Sequence, residues 1–230
     1  MKNKPSAYFS AAERALWTVS VCLIVLSFCM FGRSGILDLI ASLIGVTSIL
    51  FNAKGNPVGQ LLMILFSFLY GYISFTFSYY GEMITYLGMT MPMSVIALIS
   101  WLRHPYRGSR SEVETNRISP RETVLMLALA AAVTVLFFFL LDRFGTANLI
   151  PSTLSVTTSF LAVYLTFRRD ARFSLAYAAN DVVLIVLWVL ASFENTEYIS
   201  VAVCFLAFLL NDIYAYISWK RMEQRQRAPD

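Results

Sequence analysis

The chain has 230 residues, of which 58% are apolar and 14% are charged, and its formal net charge is +4. Soluble domains carry about 25% charged residues, so this chain cannot cover itself with polar side chains and part of it must face lipid. A soluble globular protein is excluded. The three cysteines stand in apolar runs, without the spacing of a disulfide framework or a zinc site.

Eight apolar runs are long enough to cross a hydrocarbon core of about 30 Å as helices, which takes about 20 residues each. In chain order they are roughly 13–30, 36–51, 57–79, 83–102, 121–141, 148–167, 173–192 and 198–219. The first two are the shortest. The sequence therefore predicts an all-α integral membrane protein with seven or eight transmembrane helices.

The first run, 13–30, has the length of a signal peptide as well as that of a helix. The stretch "CMFGRSG" that follows it lacks the small-residue pattern of a cleavage site. We therefore predict a retained helix.

Lysine and arginine lie mainly on one side of the predicted spans. Sixteen of the 18 fall in segments on the side of the N-terminus, and only Arg33 and Arg143 fall on the other side. Cytoplasmic loops carry the excess of Lys and Arg, so both termini are predicted to be cytoplasmic. The basic loop "RHPYRGSRSEVETNRISPR" also contains Glu112 and Glu114, which favours a solvated linker over a nucleic-acid-binding segment.

Two three-helix groups have the features of an internal repeat. The sequence "ISWLR" at 99–103 recurs as "ISWKR" at 217–221, and "VTSIL" at 46–50 is echoed by "TTSFL" at 157–161. Both groups begin on the outer side and end on the inner side. They are predicted to be parallel repeats joined by a linker helix, a 3+1+3 plan used by SWEET-type sugar transporters.

The predicted organisation has five parts, which follow from the repeats and the basic loop. They are an N-terminal tail with a leading helix (1–35), the first repeat (36–103), a basic loop with the linker helix (104–147), the second repeat (148–221) and a cytoplasmic tail (222–230).

Polar residues of the first repeat have mixed interpretations. Asp38 begins its helix and is interpreted as a cap, and Glu82, in an outer turn, as solvated. Gln60 and Tyr70 are candidates for a cavity, with interior packing as an equal alternative. Pro92 is predicted to break the fourth span, either as a gate or as a packing feature.

The second repeat holds the strongest site signal. Asn180–Asp181 and Asn211–Asp212 place the same dipeptide in two neighbouring antiparallel helices, and each Asp stands eight residues from the inner end of its helix. At about 1.5 Å per residue, both acids lie about 12 Å inside the core. Inserting an acid at such depth costs about 2.5–3.5 kcal/mol, so function is the default interpretation.

Aromatic side chains share the helical faces of these acids. Tyr177 precedes Asp181 and Trp188 follows it, both at helical spacing, and Tyr214 stands one step from the face of Asp212. Rings, amides and carboxylates together suit a flat, polar, cationic ligand. The alternatives are hydrogen bonds that hold the bundle together, and a proton or sodium site.

Sequence motifs of enzymes are missing from the chain. It contains no HExxH, no GxSxG and no Walker-type glycine loop. We therefore predict neither an enzyme nor an ATP-driven pump, and no cofactor or metal.

Four stretches, taken together, resemble the PnuC family of vitamin transporters. They are "KGNPVGQ", "YYGEMIT", "ISWLRHPYRG" and "NDIYAYISWKRM", and the similarity covers about 36–222. The resemblance implies facilitated diffusion of nicotinamide riboside, with relatives that carry thiamine, riboflavin or deoxynucleosides. It also implies that a cytoplasmic kinase phosphorylates and traps the arriving vitamin.

The resemblance also implies particular site residues. Family members place an Asn in each of the last two helices at the substrate level, which matches Asn180 and Asn211, and Trp188 loosely matches an aromatic contact. The fourth helix departs from the family, because "MTMPMSVIALISW" retains only Trp101 of the expected polar and aromatic residues. The two intramembrane acids are a second departure.

Nicotinamide riboside is the predicted substrate. It and thiamine carry a fixed positive charge, which two buried acids favour over neutral riboflavin or a nucleoside. The alternatives are another vitamin or nucleoside, or a substrate-binding membrane subunit of a larger complex. Ion coupling and the oligomeric state, a homo-oligomer included, stay open. The predicted binding residues are Asn180, Asp181, Asn211, Asp212, Trp188, Tyr177, Tyr214 and Gln60.

Overall fold

The computed structural model describes residues 8–31, 35–76, 79–146 and 148–228, and most of these are helical. The α-helices are α1 (Ala11–Phe31), α2 (Ile36–Ala53), α3 (Val58–Thr76), α4 (Tyr80–Thr85), α5 (Met91–Arg103), α6 (Pro120–Arg143), α7 (Leu149–Phe167), α8 (Phe173–Ser192) and α9 (Ile199–Arg227). A π-helical turn (Tyr86–Thr90) joins α4 to α5, and a 3-10 turn (Thr196–Tyr198) precedes α9.

Eight helical segments within the described ranges are long and apolar enough to span a membrane, in agreement with the eight predicted runs. The π-helical turn with its two flanking helices makes one span, and α1 is a full-length helix that packs against α2 and α9. Large apolar side chains such as Leu26, Leu127 and Phe139 are exposed on the outside of the bundle, where lipid would cover them. The chain is a multi-pass membrane protein.

The fourth span is interrupted, as predicted at "MTMPM". The π-helical turn ends at Thr90, and Pro92 lies in the first turn of α5. Proline has no N–H and its ring clashes with the carbonyl one turn earlier, and a π-turn is one way in which a helix accommodates such a defect. The defect begins a full turn before the proline.

The start of α2 differs from the prediction. Its N-cap is Gly35, which makes no side-chain capping hydrogen bond, and Asp38 lies in the first turn. Asp38 is therefore not the cap, although an acid in this position favours the positive end of the helix dipole.

The loop between α5 and α6 forms a short hairpin of β1 (Pro105–Tyr106) and β2 (Ser109–Val113). We call the end of the bundle that carries it the hairpin end, and the opposite end the far end. Gln226 of α9 holds the loop, because its Oε1 accepts hydrogen bonds from the amide and hydroxyl of Thr115 at 2.7 and 2.9 Å. The loop is thus ordered, although most of its residues are exposed or half-buried, as a solvated linker requires.

The same loop is bonded to the turns that follow α2 and α7. The amides of Val113 and Asn116 donate to the carbonyls of Gly55 and Arg169, each at 2.9 Å. The loop is therefore hydrogen-bonded to both three-helix groups at the hairpin end.

The turns after α2 and α7 have the same conformation. Gly55 and Arg169 are left-handed, with φ of 64° and 57°. In the next position, the side chains of Asn56 and Asp170 each accept a hydrogen bond from the amide two residues further on, at 2.9 and 3.0 Å. In the first turn, Gly55 has no Cβ and takes a positive φ without steric cost. In the second turn, Arg169 adopts the same conformation although it has a Cβ.

At the hairpin end, α5 is bonded to the end of α7. Trp101 donates from Nε1 to the carbonyl of Thr166 at 2.9 Å, and Ser100 donates from Oγ to the carbonyl of Phe167 at 3.0 Å. Trp101 is fully buried. The Ser-Trp dipeptide of "ISWLR" thus binds two adjacent carbonyls at the end of another helix.

The equivalent dipeptide of "ISWKR" makes the same bonds in the opposite direction. Trp219 donates from Nε1 to the carbonyl of Asn52, and Ser218 donates from Oγ to the carbonyl of Ala53, each at 2.7 Å. Each three-helix group therefore holds the first helix of the other with its last helix. We call these four hydrogen bonds the reciprocal clasp.

Candidate binding cavity

A cavity lies between α2, α3, the π-helical turn, α7, α8 and α9. Room for a water-sized molecule inside it is about 20 Å³, which suits one or two waters. A vitamin-sized ligand therefore requires the walls to move apart. The lining residues are Ile49, Asn52, Met63, Phe66, Tyr86, Thr90, Ser159, Phe173, Tyr177, Asn180, Asp181, Phe205, Phe208 and Asp212.

Asp181 and Asp212, which we call the acidic pair, meet across the interface between α8 and α9. Only 3% and 4% of their surfaces are exposed, and their carboxyl groups are close enough to hydrogen-bond each other. Oδ2 of Asp181 has no hydrogen-bond partner among the described residues. Two acids in contact and away from water repel each other unless a proton or a cation relieves the charge.

Asn180 lies beside the acidic pair and is held by α7. Its Oδ1 accepts hydrogen bonds from Thr158 Oγ1 at 2.8 Å and from Ser159 Oγ at 3.1 Å. With the carbonyl oxygen bound to protein, the NH₂ group is the part of this amide left for a ligand.

Asn52 brings a second amide to the cavity from α2, and Gln60 supports it. Gln60 Nε2 donates to Asn52 Oδ1 at 2.8 Å, and Gln60 itself is buried outside the lining. Gly59 permits this approach, because a Cβ there would lie 2.2 Å from Asn52 Oδ1. The structure thus places Gln60 behind the binding surface.

Aromatic rings form the remaining walls. Tyr177, predicted from the sequence, lines the cavity together with Phe173 one turn earlier on α8. On the other side, the Phe66 ring centroid lies 5.8 Å from that of Tyr86 and 5.5 Å from that of Phe208. Such walls can sandwich a flat ring.

Trp188 lies nearer the far end, outside the cavity. Its Nε1 donates to Tyr70 OH at 2.9 Å, and its ring centroid lies 4.8 Å from that of Tyr79 and 5.3 Å from that of Tyr198. We call these four residues the aromatic plug. Both Trp188 and Tyr70 are buried in it.

Asn211 and Tyr214 face α1 and lie outside the cavity lining. Asn211 Nδ2 donates to Ser20 Oγ at 2.7 Å, and Tyr214 OH donates to Glu13 Oε1 at 3.0 Å. Neighbouring helical residues differ in direction by about 100°, so Asn211 points away from the site that its neighbour lines. The structure does not place these two predicted residues in the cavity lining.

Glu82 is buried, with 1% of its surface exposed, and the expectation of a solvated acid is wrong. Ser155 Oγ donates to its Oε1 at 3.0 Å, which ties α4 to α7. Glu82 belongs to the fourth span, and its helix turns the side chain inward.

Sequence reasoning missed the lining residues of α2, α7 and the fourth span. Asn52 stands one residue beyond the predicted run 36–51, and a polar residue at that edge was the available signal. Tyr86 and Thr90 are separated by one turn, but the π-helical turn decides where they point. Ser159 carries no signal of its own in a helix rich in Ser and Thr.

Below the cavity, Asp170 holds the turn after α7. Arg172 binds it with two hydrogen bonds, at 2.9 and 2.8 Å, and the amide of Ile118 donates to it at 3.0 Å. Burial acts to raise the pKa of Asp170, but these hydrogen bonds outweigh burial and hold the pKa below its ordinary value.

Metal-binding clusters do not occur in the described part of the chain, because no three His, Cys, Asp or Glu side chains gather there. The arrangement that remains is amides, aromatic rings and two acids around a closed space. It can bind an uncharged or positively charged organic molecule.

Known proteins share both the sequence pattern and the fold. The family model for the nicotinamide mononucleotide transporter matches residues 35–221. The nicotinamide riboside transporter PnuC of Neisseria mucosa is 25% identical over 215 residues, which cover 92% of this chain and 82% of the relative. The protein of the same name from Haemophilus influenzae is 21% identical over 190 residues, which cover 82% of this chain and 81% of the relative.

One solved structure has the same fold. It is the crystal structure of the vitamin B3 transporter PnuC, which matches with a TM-score of 0.82 and 24% identity. The match covers 95% of this chain and 94% of the other.

Proposed function

The chain belongs to the nicotinamide mononucleotide transporter family, and from that membership we propose that it carries nicotinamide riboside into the cell by facilitated diffusion. Its relatives are transporters, so the chain is a transporter and not an enzyme. The substrate is taken from the names of the two relatives and from the chemistry of the cavity.

The charge of the cavity carries this proposal. Two aspartates line it, and no Lys or Arg is among the lining residues that the structure describes. A phosphate monoester has a charge of about −1.5 to −2 at neutral pH. In this cavity it would meet two acids and no Lys or Arg among the described lining residues. The riboside has a cationic ring and a neutral sugar, so it fits where the mononucleotide does not.

The same charge supports a functional link to a cytoplasmic kinase. Facilitated diffusion alone equalises concentrations on the two sides. Phosphorylation of the arriving riboside gives an anion that the acidic cavity disfavours, so the product stays inside. The carrier then needs no energy source of its own.

We propose that substrate contacts the acidic pair, Asn180 and Tyr177, together with Asn52. The acids and amides bind polar edges of the ligand, and the Tyr177 ring stacks on its flat face. The remaining predicted residues support the site from outside it: Gln60, Trp188, Asn211 and Tyr214.

Residues 36–103 and 148–221 are proposed to be parallel repeats that rock against each other. The reciprocal clasp supports this, because a two-fold axis turns one half of the clasp into the other. The matching turns at Gly55 and Arg169 support it too. The "VTSIL" and "TTSFL" echo does not, since the two stretches lie at different distances from the ends of their helices.

The hairpin end is proposed to face the cytoplasm of a bacterial cell, with the far end outside. Basic residues of the turns and loops, such as Lys54, Arg168 and Arg172, lie at the hairpin end, and Arg143 ends α6 at the far end. Arg33, Lys2 and Lys4, which entered the predicted orientation, lie outside the described residues.

Uptake into liposomes that contain only the purified full chain tests the proposal. We expect radiolabelled nicotinamide riboside to equilibrate with the interior, and the mononucleotide to stay outside. Thiamine, riboflavin and a deoxynucleoside serve as competitors. Preferred transport of one of these competitors would reassign the substrate. Binding without transport would instead indicate a subunit that needs a separate complex.

A further inference from the structure

The acids of the cavity are unevenly distributed between the two three-helix groups. Both Asp181 and Asp212 belong to the second group, and the first group contributes an amide, a hydroxyl and apolar or aromatic side chains. One wall of the cavity therefore carries both acids, and the wall of the first group carries the rings of Phe66 and Tyr86.

Among the described residues, no Lys or Arg lines the cavity or interacts with the acidic pair. Elsewhere in the spans, Glu13 is paired with Lys54 at 3.4 Å and accepts a hydrogen bond from Tyr214. Asp181 and Asp212 have each other, and Oδ2 of Asp181, almost wholly buried and on the cavity wall, has no partner among the described residues. A buried charge without compensation is costly, so a ligand that supplies positive charge gains the most here.

We propose that the acidic pair is a cation subsite for the charged aromatic ring of the substrate, which makes this carrier selective for cationic heterocycles over neutral ones. The inference rests on the proposed function and deepens it. The positive ring lies between the carboxyls on one side and the aromatic wall on the other. Attraction to a ring face and to a carboxylate both favour a cation, so the two walls act together.

A sodium site fits this geometry less well. Membrane carriers bind Na⁺ largely with backbone carbonyls of unwound helix segments. Both α8 and α9 are regular helices at the level of the acidic pair, so their carbonyls are used within the helices. The side-chain oxygens of the lining belong to Asp, Asn, Ser, Thr and Tyr residues, and the neighbouring aromatic rings suit an organic cation.

Binding of two forms of one ligand tests the proposal. Nicotinamide riboside is a cation, and its 1,4-dihydro form has nearly the same shape but a neutral ring. On the purified full chain, we expect Asp181→Asn and Asp212→Asn each to weaken binding of the cation by about tenfold or more, and binding of the dihydro form far less. Asp212→Glu, which keeps the charge, should retain the preference for the cation.

Glu82→Gln is the matched control. Glu82 is equally buried and its Oε2 also lacks a partner among the described residues, but it lies outside the cavity. This variant should keep the ratio of the two affinities. Equal losses for both ligand forms in the Asp variants, or no preference for the cation in the unmodified chain, would overturn the cation subsite.

Failure of the proposed function gives a different pattern. If the unmodified chain binds neither form of the riboside but binds thiamine, and the Asp variants lose thiamine, the cation subsite holds and the substrate changes. If it binds no cationic vitamin, both proposals fall. Uptake driven by a sodium or proton gradient, with that dependence lost in the Asp variants, would make the pair an ion-coupling site and reject the inference.

Discussion

Gly59 shows how one missing side chain shapes the cavity. A Cβ at this position would lie 2.2 Å from Asn52 Oδ1 and 2.6 Å from the backbone nitrogen of the same residue. The side-chain oxygen can move aside, but the backbone nitrogen cannot. Close contact between α2 and α3 at the cavity floor thus depends on glycine.

Gly59→Ala is therefore expected to destabilise the protein by about 1–3 kcal/mol, as overpacking does. It should also weaken riboside binding, since Asn52 has to leave its position. Thermal unfolding in detergent and binding calorimetry measure the two effects. Gly88→Ala is the control, because its Cβ would meet only Ile84 at 3.8 Å. Equal behaviour of the two variants would contradict the role given to Gly59.

Asp170 makes stability depend on pH at the hairpin end. Its pKa is lower in the folded chain than in the unfolded chain, so its contribution is present above the ordinary Asp pKa of about 3.9 and is lost as pH falls through the folded value. We expect the melting temperature to fall at acidic pH. In Asp170→Asn, stability at pH 7 should drop by roughly 2 kcal/mol and the acidic fall should be smaller. An unchanged pH profile would exclude Asp170 as the source.

The sequence predicts which residues line the candidate site where depth within the span and charge alone determine their position. The acidic pair could be found from the sequence, because counting residues from the inner helix ends gives its common depth. Asn211 and Tyr214 could not be assigned, because which face of α9 meets α1 depends on packing. The contact between Tyr214 and Glu13, residues nearly the whole chain apart, has no local signal.

Helix ends, more than helix lengths, set the architecture. The reciprocal clasp uses side chains at the end of one helix to bind carbonyls at the end of another, carbonyls that the helix itself leaves without partners. The Trp101 and Trp219 ring centroids lie 5.4 Å apart, so the two halves of the clasp meet in one cluster. This contact closes the hairpin end.

Trp101→Phe and Trp219→Phe should therefore have similar effects. Each removes one hydrogen bond and keeps most of the buried ring, for a loss of about 1 kcal/mol. The carbonyls of Thr166 and Asn52 each keep a second donor, the amides of Arg169 and Gly55. Unfolding of the two variants in detergent gives the comparison. Trp17→Phe removes an exposed hydrogen bond, from Nε1 to Thr47 Oγ1 at 3.2 Å, and should change stability less. Strongly unequal losses at Trp101 and Trp219 would contradict the proposed two-fold relation between the repeats.

At the scale of elements, the eight spans and the break before Pro92 were predictable from hydropathy and from proline chemistry. The π-helical turn was not, because an α-helix and a π-turn differ by one residue of register that no local pattern marks. The hairpin between α5 and α6 was missed for another reason. Its order comes from Gln226 and from two distant turns, and its own sequence reads as a polar loop.

The whole molecule consists of two groups that hold each other. The clasp joins the groups directly, the loop is hydrogen-bonded to both, and the cavity lies where the groups face each other. From sequence, the repeat plan rested on one in-register match, "ISWLR" with "ISWKR". The other features that support the proposed repeat are hydrogen bonds between side chains and backbone groups. Different residues of the two groups make these bonds in the same way.

A chain cut in the hairpin at Gly108 should therefore reassemble. Gly108 is exposed and makes no close contact that a Cβ would disturb. We expect residues 1–108 and 109–230, expressed together, to recover riboside uptake in cells, and either half alone to give none. Co-expressed halves that both insert but never co-purify would contradict association through the clasp. The uncut chain carrying the same tags is the control.

The positions of the four tryptophans give this carrier a native optical readout of its own cycle. Trp188 lies in the plug toward the far end, Trp101 and Trp219 lie together at the hairpin end, and Trp17 faces lipid. Opening toward one side would wet one of these sets and leave the other dry. In a variant that keeps Trp188 as its sole tryptophan, a red shift in emission reports opening at the far end. The same shift in a variant that keeps only Trp101 and Trp219 reports opening at the hairpin end, so both states can be followed without an attached dye.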